Sequence, residues 1–167
     1  MFWSRKKETP PPIPATPSTP PPIPLGKGHP GTFDEPKNDL ERALLAARNR
    51  EISAQQFLEY FLNSNVLVAV PDGQIVKESD QVKLISNPTL FTITYPEYVA
   101  LCFYTHESRL KPTNDQFPDF RYAVSLVAGD FILNAAGSFG VVINPYWDVN
   151  LEWSAAQIDR LNQMIKG

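Results

Sequence analysis

Two spacings of apolar side chains alternate along the chain beyond residue 37. Leu40, Leu44, Leu45 and Ala47 recur with the period of a helix, and Asn38-x-x-Glu41 ahead of them has the form of a capping box, so the spacing predicts a helix over 38–50. A second such start, Ser53-x-x-Gln56, precedes Phe57, Leu58, Phe61 and Leu62, and Asn63-Ser64-Asn65 closes that helix. The two together read as a hairpin of apolar faces. Val66–Val70 is then an apolar run stopped by Pro71-Asp72-Gly73, a turn with a φ-fixing proline first and a permissive glycine last. Val82–Ile85 reads as a second strand. Thr89–Tyr95 alternates as a half-buried strand does, and Tyr98–Tyr104 is apolar enough for a central one. Arg121–Val127 and Phe139–Ile143 complete the strands. Gly129–Ala136 between them has helical composition with Gly137 as its stop, and Ser154-x-x-Gln157 opens a last helix with Ile158, Leu161 and Ile165 on one face.

Helices and strands come in runs, without strict βαβα alternation. The expected fold is therefore α+β: an N-terminal helical hairpin packed on a mixed or antiparallel sheet of about five to six strands, with a short helix and a C-terminal helix.

Composition divides the chain near the same place. Of 17 prolines, 11 lie in the first 36 residues, and Thr9-Pro10-Pro11-Pro12-Ile13-Pro14 returns as Thr19-Pro20-Pro21-Pro22-Ile23-Pro24. Such a stretch favours polyproline II at about 3.1 Å per residue, and Gly26, Gly28 and Gly31 supply a joint behind it. Residues 1–37 are expected to be a disordered, proline-rich arm and linker, serving as a spacer or as a recognition motif for a partner's aromatic groove. Residues 38–167 form one domain, long enough to bury its own core.

Charge and residue inventory narrow the function. Residues 1–37 carry five basic and three acidic side chains, and residues 38–167 carry ten and fifteen. The acidic balance of the domain argues against nucleic acid as a partner. The single cysteine, Cys102, precludes an internal disulfide and a multi-thiolate zinc site, and reads as a core thiol in a reducing compartment. Only His29 and His106 could serve as imidazole bases. Along a strand, Cys102 and His106 would stand about 13 Å apart at ~3.3 Å per residue, too far for a thiolate–imidazolium pair. Gly137-Ser138-Phe139-Gly140 lacks the spacing of a nucleophile elbow, and Gly26-Lys27-Gly28 lacks that of a phosphate loop. Asp115/Asp119 and Glu78/Asp80 read as solvated loop charge. No catalytic residue, cofactor or metal site is expected.

The N-terminus reads as no secretory signal, because Arg5, Lys6 and Lys7 follow Phe2 and Trp3 and lead into prolines rather than an apolar stretch. Stable membrane insertion is not expected, although Phe2, Trp3, Arg5, Lys6 and Lys7 could make weak peripheral contact with an anionic surface.

Three stretches together resemble a known family: Leu40–Ala47 with Phe57–Leu62; Val99–Leu110, reading VALCFYTHESRL; and Val124–Leu161, which contains Gly129-Asp130 and Val142-Ile143-Asn144-Pro145. They look like the N-terminal domain of the bacterial SseB (enhanced serine sensitivity) family, over about residues 38–165. The sequence departs from the family pattern at His106, where serine is common, and at Tyr146-Trp147-Asp148, where a small-residue turn is usual. The resemblance implies the fold class, a bacterial cytoplasm and no established enzyme activity.

The segments shared with the family also have local physical readings. Thr105 can cap a short helix over 106–110 with Glu107 in its first turn, and Asn144-Pro145 can end a strand. Tyr146, Trp147 and Trp153, if exposed around that turn, would form an aromatic patch of the kind that anchors protein contacts. The expected function is thus that of a non-catalytic protein-interaction or regulatory module, its surface comprising Tyr146, Trp147, Trp153, His106, Glu107 and Arg109. The alternative is a small-ligand sensor or enzyme with a pocket around His106, Glu107 and Arg109.

Overall fold

The computed structural model describes residues 32–134 and 138–167. The proline repeats, the glycine joint, the aromatic-basic N-terminus and the Gly137 helix stop lie outside the described residues.

Helix α1 runs Asp39–Arg48 and α2 Ala54–Leu62, each started by the residue its sequence marks: the Asn38 side chain accepts from the Glu41 N–H, and Ser53 and Gln56 close a full capping box. Strand β1 (Asn65–Val70) follows, then a hairpin of β2 (Ile75–Glu78) and β3 (Gln81–Leu84). Strands β4 (Thr92–Thr94) and β5 (Val99–Phe103) lead to a 3-10 turn over Glu107–Leu110, helix α3 (Lys111–Gln116) and a second 3-10 turn over Pro118–Phe120. Then come β6 (Tyr122–Val127), α4 (Ala128–Asn134), β7 (Gly140–Ile143), β8 (Leu151–Trp153) and α5 (Ala155–Lys166). The fold is α+β with a helical hairpin at its start.

The strands divide into three sheets rather than one. A mixed sheet runs β4-β5-β7-β8, with β5 and β7 parallel and the outer pairs antiparallel. Strands β1 and β6 form an antiparallel ribbon joined to β5 by the Leu67–Tyr104 bridge, and β2–β3 is a separate hairpin. Four elements escape the sequence patterns. Strand β2 is largely exposed and has no apolar face to show, β8 is three residues long, and α3 and the turn after it sit in polar, proline-bearing sequence. The strand expected over Thr89–Tyr95 contracts to Thr92–Thr94.

The central strands are buried on both faces, which divides the core in two. Phe103, Val141 and Ile143 face a cluster with α1, α2, β1, α4 and α5, while Ala100, Cys102, Tyr104 and Val142 face one built with Phe91, Leu110 and Phe120. Cys102 is thus a core thiol. Trp153 belongs to the first cluster, 7% exposed, with its ring centroid 6.1 Å from that of Phe57 and 5.6 Å from that of Phe61. Its expected place on an exposed patch is corrected: a large apolar ring ending β8 lies inside because α2 brings two phenylalanines against it. Gly140 lets β7 lie close to the Tyr98 ring and to the backbone of β8, since a Cβ there would lie 2.5 Å from the ring and 2.7 Å from the Trp153 carbonyl oxygen.

Truncating Trp153 removes the centre of this aromatic cluster. Trp153→Ala should cost about 3–5 kcal/mol in urea unfolding, and a loss below about 1 kcal/mol would show that the cluster does not hold α2 to the sheet.

Candidate functional site

The residues flanking α1, the end of β5 and the end of β7 meet at one buried point. Helix α1 begins with Glu41 at the third position of its first turn, where a capping box would fold the carboxylate back onto the Asn38 N–H. Instead the Asn38 side chain donates to the Thr105 carbonyl at 2.7 Å, and Glu41 turns inward to the Arg109 guanidinium. Arg109 Nε donates to Oε1 at 2.8 Å and Nη2 to Oε2 at 2.9 Å, a bidentate pair whose members are 1% and 0% exposed.

The remaining polar capacity of that pair is met by its neighbours. Thr105 Oγ1 donates to Glu41 Oε1, and the Lys37 backbone N–H donates to Oε2 at 2.8 Å. Asn144 accepts the Thr105 backbone N–H at 3.0 Å and returns its own amide to Thr105 Oγ1 at 2.8 Å. Thr105 is therefore not the cap of the following turn. That cap is His106, whose Nδ1 accepts from the Ser108 N–H at 3.2 Å.

Burial by itself pushes the Glu41 carboxyl up. The hydrogen bonds from Arg109, Thr105 and the Lys37 backbone outweigh it and hold the group below the usual carboxylate range. Burial likewise works against the charge on Arg109, and Glu41 more than compensates.

The guanidinium is also enclosed by aromatic rings. Its carbon lies 4.0 Å from the Phe33 ring centroid and 4.5 Å from that of Trp147. Trp147 is fixed by its indole N–H donating to the Arg109 carbonyl at 2.9 Å. The chain reaches it through Asn144-Pro145-Tyr146, with Asn144 at φ 53° and Tyr146 at φ 68°. Asparagine tolerates this left-handed region. A tyrosine does not, and strain of about 1–3 kcal/mol is held in the turn that delivers Trp147.

Phe33 belongs to a strap that closes over the pair from the N-terminal side. The Phe33 N–H donates to Asp148 at 2.7 Å, Arg109 Nη2 donates to the Glu35 carbonyl at 3.0 Å, and Asp34 lies 3.7 Å from Nη1. Among the described residues, Phe33, Asp34 and Glu35 thus already contact the rest of the domain ahead of Asn38.

The six residues expected to share a surface separate into three environments. Tyr146 and Trp147 are half-buried beside the strap, Glu107 is exposed and His106 half-buried at the start of the 3-10 turn, and Arg109 and Trp153 are interior. Arg109 is a structural cation, not the open cation of a pocket around His106 and Glu107. Sequence reasoning passed over Phe33, Glu41, Thr105 and Asn144, because a capping motif or a strand-ending turn explained each of the last three locally. The available signal for Glu41 was an acidic side chain on a helix whose stripe it shares with Leu40 and Leu44.

Among the described residues, no group of three or more His, Cys, Asp or Glu side chains could hold a metal ion, and no helix is long and apolar enough to cross a membrane.

The pair links stability to pH. Because the folded state lowers the Glu41 pKa below its unfolded value of about 4.3, its contribution is complete above that value and is lost as pH falls through the folded pKa. Glu41→Gln should remove this part of the acid dependence in denaturant titrations and cost about 3–5 kcal/mol near neutral pH by leaving Arg109 buried without its counter-ion. An acid limb identical to that of the native chain would contradict the assignment.

Residues 40–160 match the family described as SseB protein N-terminal domain, and these residues contain the Glu41–Arg109 pair, Thr105, Asn144 and the Trp147 turn. No curated protein and no solved structure gives a significant match. With residues 40–160 of the 167-residue chain matched, and with the α+β architecture the resemblance implied, the chain belongs to the SseB family through its N-terminal domain.

Proposed function

We propose that this SseB domain is a non-catalytic protein-interaction module of the bacterial cytoplasm, which contacts its partner at the Tyr146–Trp147 corner and at the arm rooted there. One observation carries the reading: Arg109, stacked with Phe33 and Trp147, fixes the strap at Phe33–Glu35 against the domain. The strap follows the proline-rich segment in sequence and lies beside two half-buried aromatic side chains, Tyr146 and Trp147. A proline-rich sequence and adjacent aromatic anchors are a combination suited to binding another polypeptide. The strained Tyr146 agrees with this, because backbone strain tends to persist where a side chain must be presented in a set position.

The alternative, a small-ligand pocket around His106, Glu107 and Arg109, has less support. Arg109 is paired with Glu41, and His106 Nδ1 faces the Ser108 N–H.

Affinity capture from the native bacterial lysate, read by mass spectrometry, tests the proposal with the full chain, with Trp147→Ala and with a chain lacking residues 1–31. A partner recovered by the full chain should fall about tenfold with Trp147→Ala, the effect of losing one interface anchor, while thermal melts confirm that the variant is folded. A partner recovered equally by all three proteins would contradict this placement.

A further inference from the structure

Strand β6 pairs with β1 along one side only. The register is complete from Asn65–Val127 to Val70–Tyr122, and among the described residues no other strand pairs with Tyr122–Val127. In an antiparallel ladder about half of a strand's N–H and C=O groups point away from its partner, so β6 presents a row of unpaired backbone groups.

That row borders a groove of about 460 Å3 whose opposite wall is β3, with Phe131, Asp130 and Asn134 of α4 beneath. Consecutive residues line both walls, 82–84 on one side and 124–127 on the other. Side chains alternate across a strand, so an unbroken run on each wall means that strand edges border the groove. Phe131 is held in place by Phe103, their rings meeting edge to face at 5.9 Å.

The other sheet edges carry the devices that discourage pairing. Strand β8 is three residues long with Glu152 at its centre, β4 is three residues long and soon followed by Pro96, and β2 carries Lys77 and Glu78. Strand β6, reading YAVSLV, is six residues long with neither charge nor proline.

We propose that the β6 edge is a docking site for an extended segment of a partner polypeptide, which adds as a strand beside β6 with alternate apolar side chains over Phe131 and Leu84. The unpaired backbone specifies an extended chain rather than a helix or a small molecule. The hairpin wall, with Val82 standing 47% exposed on it, obstructs the edge of a second folded domain more than it does a bare strand. This inference rests on reading the chain as a binding module, but it places a contact on a different sheet from the Trp147 corner.

Selection of a phage-displayed library of random linear peptides on the full chain tests it, followed by hydrogen exchange of the free and peptide-bound protein. Enriched peptides should be rich in alternating β-branched residues and should slow exchange of amides within 122–127. Binding should weaken about tenfold with Ser125→Lys, which places a charge at an exposed position of the edge strand, and independently with Val82→Asp on the facing wall.

Failure to enrich any peptide, or enrichment of peptides indifferent to both variants, would overturn the proposal. Protection confined to Phe33–Lys37 and Trp147 would overturn it while leaving the module reading intact. Concentration-dependent dimerisation that protects 122–127 without peptide would replace the partner segment by a second copy.

Discussion

A carboxylate and a guanidinium that are both out of contact with water impose the strongest constraint on this domain. Each charge would cost several kcal/mol to bury alone, so Glu41 and Arg109 can occupy the interior only if they meet and their remaining hydrogen-bonding capacity is satisfied. The bidentate pair, the Thr105 hydroxyl, the Lys37 N–H and the Glu35 carbonyl supply those partners. They come from the first helix, the loop after β5 and the segment that precedes the helix. Asn144, bonded to Thr105, adds the loop after β7. One ion pair therefore holds together parts of the chain far apart in sequence, and its aromatic cover ties the Phe33–Glu35 strap to them.

Much of the fold is legible in the sequence where periodicity and turn chemistry agree. Ser53-x-x-Gln56 and Ser154-x-x-Gln157 form true capping boxes because their glutamines have nowhere better to go. Asn38-x-x-Glu41 has the same form and a different outcome, since a buried guanidinium attracts the carboxylate more strongly than a single N–H at the helix start. A local pattern predicts the helix correctly and misassigns the side chain that matters most. Similarly, Asn144 ends its strand in the left-handed region, as an asparagine before proline suggests, but its amide also satisfies Thr105 across the core. Trp153 shows the limit for aromatic residues: sequence identifies a large ring near a turn, and only the packing of α2 decides that it lies inside.

The division into three small sheets has consequences for binding. A single sheet of five or six strands would have two edges; the ribbon β1–β6 and the hairpin β2–β3 add more, and edges must be short, charged or covered if they are to stay unpaired. Strand β6 is none of these over its length. The two contacts proposed, at the Trp147 corner and at the β6 edge, would therefore differ in kind, one made through aromatic side chains and the other through backbone.

Whether Arg109 clamps the strap is best measured by backbone 15N relaxation over residues 33–37 in the native chain and in Arg109→Lys, which keeps the charge but loses the planar fork and the stacking surface. The strap of the native chain should be as rigid as α1, and Arg109→Lys should release residues 33–35 to fast motion while α1 stays ordered. A strap already mobile in the native chain, or equally rigid in the variant, would contradict the clamp.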